Sequence, residues 1–401
     1  MEIRKIKDSD LKQVRKLHVY STGRQWTDSE PSKETLAFYT LDEIIGMFNG
    51  EELMSMIRNY TFNQSVRGTV KRMGGVSHVA TFPEYRLKGY AKQLMKAAFL
   101  DMKEKHQPVS TLHPFKESYY EAFGYVGTND NVLLNMSMDG LYPYLKNQHE
   151  IQGKWEEKRV RAVDVQQEFE DFKLQLNLKK HHGLVFLNDM SSEYWKDDHE
   201  DVLVVFIKKD DEIVAGAKYI KIGNGEGGRL FVIEMYWKTL EARLMLFRFF
   251  AKHIDQFSHI ELRFPFGTNF FPLVKDCSRP FEVSVNNRPW MVRIIEAMEA
   301  VKDIEVESEG RAVLSLKDDF CTWNNGTYIL EAVDNRLVMR RTEIEKPQIN
   351  MDIKGLTALL YGVYSVEELE FKQWIASDNE AVNSILNRWF SKEIFYNPYY
   401  Y

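Results

Sequence analysis

Apolar and polar positions along the first part of the chain predict a mixed sheet with helices between its strands. Met1–Lys5 reads as a short strand, and Asp8-Ser-Asp10 caps a helix with Leu11, Val14 and Leu17 at helical spacing. Three strands follow at Glu43–Phe48, Glu51–Phe62 and Val70–Phe82, with turns at Asn49-Gly50 and Arg67-Gly68. The last of them runs through a tight basic loop, Arg86-Leu-Lys-Gly89-Tyr-Ala91, into a helix from Tyr90 to about Lys105. A short strand at Val109–Phe115, a brief helix at Ser118–Phe123 ended by Gly124, and a strand from Tyr125 complete the order β-α-β-β-β-α-β-α-β.

From about residue 147 the pattern repeats in worn form. Gly227-Gly228 and the apolar run to Met235 parallel Gly74-Gly75 and the run to Phe82, and each is followed by an apolar helix. His259–Phe266 then parallels Val109–Phe115, with Phe-Pro-Phe for His-Pro-Phe. After Asn286 the spacing changes again. Pro289–Lys302 reads as a helix with Met291, Ile294, Ile295 and Met298 inward, and strands are predicted at 310–316, 326–332 and 336–341. Helices are predicted near 354–361, 366–375 and 380–390.

Composition narrows the class. A chain of 401 residues with 44% hydrophobic and 28% charged residues is long enough for two or three cores and ordinary for a soluble globular protein. A net charge of −6 argues against broad nucleic-acid binding and favours cationic small molecules. Two cysteines, Cys277 and Cys321, exclude a disulfide framework or a cysteine zinc site, and no metal is expected. The start is not a signal peptide and no long uncharged apolar run occurs, so no membrane span is expected and the cytoplasm is the expected location.

Against this acidic background the basic loop stands out. A strand, a glycine-containing loop and a helix N-terminus make an anion site, because the first-turn amides lack intrahelical partners and carry the positive end of the helix dipole. Gly89 permits close backbone approach, Ala91 adds little bulk, and Arg86 and Lys88 add charge. No Lys-Ser/Thr pair is present to hold magnesium, so amides would bind the anion without a metal. The corresponding loop of the copy, Tyr236-Trp-Lys-Thr-Leu-Glu-Ala242, is shorter, lacks glycine and puts Glu241 where a phosphate would sit.

Two motifs at this separation, R-x-x-G-x-A at Arg86–Ala91 and Y-x-x-F-G-Y at Tyr120–Tyr125, resemble the GNAT superfamily of N-acetyltransferases. The length and chain end narrow the resemblance to its Eis-like (enhanced intracellular survival) branch. The resemblance implies an α+β fold of tandem GNAT-like domains, 1–146 and a degenerate 147–285, followed by a sterol carrier protein-like domain at 286–401 whose tail returns to the active site. It implies acetyl-CoA in the notch between the strand ending Val79-Ala80-Thr81 and the strand ending His113-Pro-Phe115. The backbone of Val79, Ala80 and Thr81 would pair with the pantetheine. Amides of Leu87, Lys88, Gly89, Tyr90, Ala91 and Lys92 would hold the pyrophosphate, with Arg86 beside them, while Phe115 and Lys116 line the far wall.

The resemblance also assigns roles in acetyl transfer to an amine. Tyr120 matches the first Tyr of Y-x-x-F-G-Y and is the expected general acid, the alternative being that it only packs. The terminal carboxylate of Tyr401 is the expected general base, the alternative being a tail that merely docks. Relatives usually end in Phe, often after an acidic residue, whereas here Tyr400 precedes the end. His78 and His113 are each either a base or a packed histidine, and the exposed-looking pair His181-His182 lacks the spaced acidic partners of a metal site. Asp28 and Glu30, beside Trp26, either line a cationic pocket or belong to a solvated loop. The expected acceptors are polyamine-like amines such as aminoglycosides, or lysine side chains, and the expected assembly is a hexamer. The competing reading is a non-catalytic lipid- or partner-binding protein built on the C-terminal domain.

Overall fold

The computed structural model describes residues 1–23, 39–129, 131–146, 152–187, 201–274, 280–285 and 288–399. Asp28, Glu30, Cys277 and Tyr401 lie outside the described residues. The chain gathers into two compact units, Met1–Thr128 with Arg288–Ile394, and Asn129–Asn287 with Phe395–Tyr400.

The first unit opens with β1 (Glu2–Lys5), α1 (Leu11–Ser21), β2 (Ile44–Asn49), β3 (Glu52–Val66) and β4 (Thr69–Thr81). Then come α2 (Tyr90–Glu104), β5 (Val109–Leu112), α3 (Glu117–Glu121) and β6 (Val126–Gly127). β1 to β4 form an antiparallel meander, and its β3–β4 turn has both Arg67 and Gly68 at positive φ, the conformation a tight two-residue hairpin requires. α2 then crosses over so that β5 runs parallel to β4. Helices cover both faces. α2 buries Leu94, Met95, Ala98, Phe99 and Met102 with Ile57, Val76 and Leu112 of the sheet, while α1 buries Val14 and Leu17 with Ile44, Phe48, Met56 and Ala80.

The second unit contains β7 (Val132–Ser137), α4 (Tyr142–Lys146), β8 (Trp155–Arg161), α5 (Gln166–Leu174) and β9 (Val185–Phe186). It continues with β10 (Leu203–Lys209), β11 (Glu212–Ile222), β12 (Gly225–Trp237), α6 (Leu240–Ala251), β13 (Phe257–Phe264) and β14 (Glu282–Val285). Its sheet order is β8-β10-β11-β12-β13-β7-β14, again an antiparallel meander, a crossover helix and a parallel partner. The duplication expected from sequence is therefore present as topology. His181 and His182 depart from the expectation of an exposed pair: His182 is buried and its ring meets Phe395 edge-on, and burial lowers the pKa of His181.

The chain then returns to the first unit with β15 (Met291–Ile294) and α7 (Ala297–Val301). The helix expected over Pro289–Lys302 is thus a strand followed by one short helical turn, and Met298 is exposed rather than inward. The reason is burial on both faces. All four residues of β15 are buried, so its apolar run shows no alternation, and spacing alone does not separate such a strand from a helix. β15 pairs antiparallel with both β5 and β6, giving the first sheet the order β1-β2-β3-β4-β5-β15-β6.

The remaining elements are β16 (Arg311–Lys317), β17 (Gly326–Val333), β18 (Arg336–Arg341), β19 (Ile349–Asp352), α8 (Ile353–Leu360), α9 (Val366–Phe371), β20 (Ile375–Ser377) and α10 (Glu380–Trp389). They form a sheet ordered β18-β17-β16-β19-β20. The helix predicted over 366–375 stops at Phe371, because Gln373 takes a positive φ and β20 pairs with β19.

One buried ion pair ties this sheet to the first. Arg293 of β15 donates to the Phe123 carbonyl at 2.6 Å, the Ile294 carbonyl at 2.7 Å and the Asp318 carboxylate at 2.8 Å. Asn324 donates to the other oxygen of Asp318 at 3.0 Å, and neither charged side chain is exposed. Removing one partner strands a charge in the core. Asp318→Ala is expected to lower unfolding free energy by ~3–5 kcal/mol, whereas Arg293→Met with Asp318→Asn, which removes both charges, costs much less. Denaturant unfolding of the three proteins checks this.

Candidate active site

β4 and β5 are paired only from Met73↔Val109 to Val76↔Leu112. β4 continues for five more residues, Ser77 to Thr81, while β5 ends and the chain turns away through His113 and Pro114. The two strands therefore split, and the β5-facing edge of Ser77–Thr81 is released from the ladder. His78, in this stretch, has a φ of 50°, and the β3–β4 register shifts between Met56 and Arg58. Val79 lies within this bulge, and Ala80 and Thr81 resume the pairing with Met56 and Ser55.

Past Thr81 the chain makes a short turn at Pro83–Tyr85 and enters the basic loop. Leu87 and Gly89 both take left-handed conformations, with φ of 61° and 78°. Leu87 is wholly exposed, so no packing repays its backbone strain, which is of order 1–2 kcal/mol. Left-handed residues beside a helix N-terminus are the backbone form from which anion-binding nests are built. Gly89 caps α2 without any side-chain hydrogen bond, and nothing lies within 4 Å of where a Cβ would be. The first backbone bond of the helix runs from the Gln93 amide to the Gly89 carbonyl, which leaves the amides of Tyr90, Ala91 and Lys92 directed out of the helix end. Arg86, exposed, donates to the Thr81 carbonyl at 3.0 Å, and the exposed Lys88 and Lys92 add charge. Edge strand, amides and cations together fit a ligand with an amide-rich arm and a pyrophosphate. Among the described residues no three His, Cys, Asp or Glu side chains gather as metal ligands.

Tyr120, at the end of α3, is 4% exposed. The turn that follows holds it: the amides of Phe123 and Tyr125 donate to its carbonyl at 2.9 and 3.3 Å, and Gly124 takes a φ of 87°. Arg293, by binding the Phe123 carbonyl, fixes the same turn. Burial, reinforced by Tyr119 and Tyr125, raises the pKa of the Tyr120 hydroxyl far above that of an ordinary phenol. The buried Tyr125 and Tyr361 use their hydroxyls internally, on Ser110 at 2.8 Å and on Gln64 at 2.8 Å. Among the described residues the Tyr120 hydroxyl has no hydrogen-bond partner. Phe115 is exposed with its ring 5.5 Å from that of Tyr120, and Lys116 is exposed at the start of α3. His113 packs edge-on against Trp290, and burial lowers its pKa.

Sequence reasoning did not find the company His78 keeps. Its Nε2 lies 3.0 Å from Nε2 of His18 on α1, whose Nδ1 lies 2.8 Å from the Tyr39 hydroxyl. The three residues are far apart in the chain, and no local pattern announces a bulge at His78.

The second unit shows what the loop looks like without these features. Thr239 caps α6 by accepting from the Ala242 amide at 3.2 Å. The Glu241 carboxylate is held below its usual pKa by hydrogen bonds from its own amide and from Thr239. The helix end is thus satisfied by its own side chains.

Residues 2–127 match the family model of the acetyltransferase (GNAT) domain, and residues 291–397 match that of the sterol carrier protein domain. No curated protein matches the chain. Among solved structures, the GCN5-related N-acetyltransferase from Anabaena variabilis is 17% identical with a TM-score of 0.84, each chain covered in full. The GCN5-related N-acetyltransferase from Kribbella flavida is 18% identical with a TM-score of 0.82, covering 100% of this chain and 98% of that one. The domain match makes residues 2–127 an acetyltransferase (GNAT) domain and the protein an acetyltransferase, of the kind that transfers acyl groups from acyl-CoA to amines. Its fold is the tandem Eis-like one: Eis1 from Mycobacterium abscessus, 14% identical, aligns over the whole of both chains with a TM-score of 0.76. Among the described residues no helix is long and apolar enough to cross a membrane.

Gly89→Val would place a β-branched side chain where φ is positive and crowd the nest without touching the core. It is expected to raise KM for the acyl-CoA by ~10-fold or more, the loss of one charge-assisted hydrogen bond, and to leave KM for the amine within about twofold. Steady-state kinetics on both substrates check this.

Proposed function

We propose that the protein transfers acetyl from acetyl-CoA to an amine by direct attack, with Tyr120 as general acid and the terminal carboxylate of Tyr401 as general base. The observation that carries this reading is Tyr120: a buried side chain, held protonated, whose hydroxyl makes no hydrogen bond among the described residues. A buried tyrosine ordinarily satisfies its hydroxyl, so an unengaged one beside the strand split is suited to meet a ligand atom. Bound acetyl-CoA supplies an activated thioester. The chain's part is to hold and orient it. Val79, Ala80 and Thr81 offer the strand edge, Leu87 to Lys92 offer amides to the pyrophosphate, Arg86 and Lys88 neutralise it, and Phe115 and Lys116 form the opposite wall. Tyr120 then delivers its proton to the leaving thiolate.

The base assignment draws on the Eis-like resemblance and on the character of the tail, in which Phe395 and Tyr396 are buried and aromatic rather than polar and frayed. The acceptor reading, a polyamine-like amine such as an aminoglycoside or a lysine side chain, draws on the same resemblance and on the net charge of −6. A hexameric assembly and a working division at 1–146, 147–285 and 286–401 draw on the resemblance alone.

Coenzyme A release in the presence of a polyamine antibiotic, measured across an amine panel, tests the activity. Tyr120→Phe is expected to lower kcat by roughly 100-fold or more; full activity in this variant removes Tyr120 from the chemistry. Because burial raises the Tyr120 pKa, the donor form persists through the alkaline range. The kcat–pH profile should show no falling limb from this group below pH ~10, the ordinary phenol value. A few residues appended after Tyr401 should abolish turnover in a folded protein; unchanged turnover eliminates the terminal carboxylate as base.

A further inference from the structure

The second sheet keeps the split of the first. β12 and β13 are paired up to Val232↔Leu262, after which β12 runs on to Trp237. Counted along each strand from the last pairs, Val76↔Leu112 and Val232↔Leu262, Glu234 corresponds to His78, Tyr236 to Ala80 and Arg263 to His113. A bulge persists too, the β11–β12 register shifting between Lys218 and Tyr219. The surroundings have been rebuilt. Glu234 is buried between Lys218 at 3.0 Å and Lys173 at 3.7 Å, and accepts from the Tyr236 hydroxyl at 2.8 Å.

What lies at this split is polypeptide. The ring of Tyr396 is 6.5 Å from that of Tyr236 on β12, and its hydroxyl donates to the Arg263 carbonyl on β13 at 3.3 Å, so one side chain spans both strands. The Tyr396 amide donates to the His182 carbonyl at 2.9 Å. The Arg263 guanidinium donates to the Pro398 carbonyl at 2.9 Å, and the Asn131 amide to the Asn397 carbonyl at 2.7 Å. Phe395 lies on Gly183, where a Cβ would come within 2.5 Å of its ring.

We infer that the former cofactor notch of the second unit has become a binding site for the chain's own C-terminal peptide, Phe395-Tyr-Asn-Pro-Tyr399. The replacements on the strands and the replacement at the helix end agree. Where the first notch offers a bare strand edge and an amide nest, the second offers an aromatic wall at Tyr236, donors at Arg263 and Asn131 aimed at peptide carbonyls, and a helix end closed by Thr239 and Glu241. The ligand class has changed from an acyl-CoA to an aromatic peptide. For catalysis this rests on the proposed terminal base, whose tether the site would be; for binding it does not.

Hydrogen exchange of the full chain is the test, with Arg263→Ala plus Asn131→Ala as the main variant and Tyr396→Phe, which removes only the hydroxyl bond, as the mild one. The Tyr396 amide should be protected in the native protein and exchange at least ~10-fold faster in the double variant, while β12 and β13 stay protected. Acyl-CoA should titrate to one site per chain. Free exchange at Tyr396 in the native protein, unchanged exchange in folded variants, or two acyl-CoA sites per chain would each overturn the inference. If the tail loosens, kcat should fall with KM for acetyl-CoA unchanged. A loosened tail with full turnover supports the peptide site and removes the terminal carboxylate as base.

Discussion

Two parallel strands that part company after four residue pairs are the constraint on which the first unit depends. A parallel ladder stays closed only while both strands run side by side, and β5 stops at Leu112 while β4 goes on to Thr81. The backbone groups released along Ser77–Thr81 turn the middle of a sheet into an edge, the one part of a sheet that recruits a further strand-like partner. Because the crossover to β5 must start where β4 ends, the α2 N-terminus falls at the mouth of the same split. Amide ladder and amide nest are thus consequences of one connection, and Tyr120 is brought alongside by the turn that follows β5.

A split of this kind would collapse unless its sides were rigid. The α1 and α2 faces each carry a continuous apolar cluster, and Arg293 holds the Phe123–Tyr125 turn from within the sheet. A buried guanidinium is expensive unless its donors are partnered, and here the carbonyls of Phe123 and Ile294, the Cys321 sulfur and the Asp318 carboxylate accept from all three of its nitrogens. The same split in the second unit carries different side chains on its strands and at its helix end, and Tyr396 lies across it.

Most of the first site was legible because it is local. Arg86–Ala91 and Tyr120–Tyr125 are short motifs, the glycine turns sit where the hairpins need positive φ, and the strand and helix either side have clear periods. β15 was not legible, since a strand buried on both faces shows no alternation and its partners lie far back in the chain. The end of α9 at Phe371 was missed because pairing of β20 with β19 overrides a helical spacing. The link from His78 through His18 to Tyr39 depends on a bulge and on helix packing, neither of which leaves a mark in the sequence around it. The hosts of the aromatic tail, Arg263, Asn131 and Gly183, come from three separate places, so no local pattern names them.

β15 has a consequence for trimming the chain. The acetyltransferase match closes at residue 127, yet the sheet is completed by Met291–Ile294. A fragment cut at that boundary would bare the β5 edge and strip β6 of its partner, leaving an open strand row that invites aggregation.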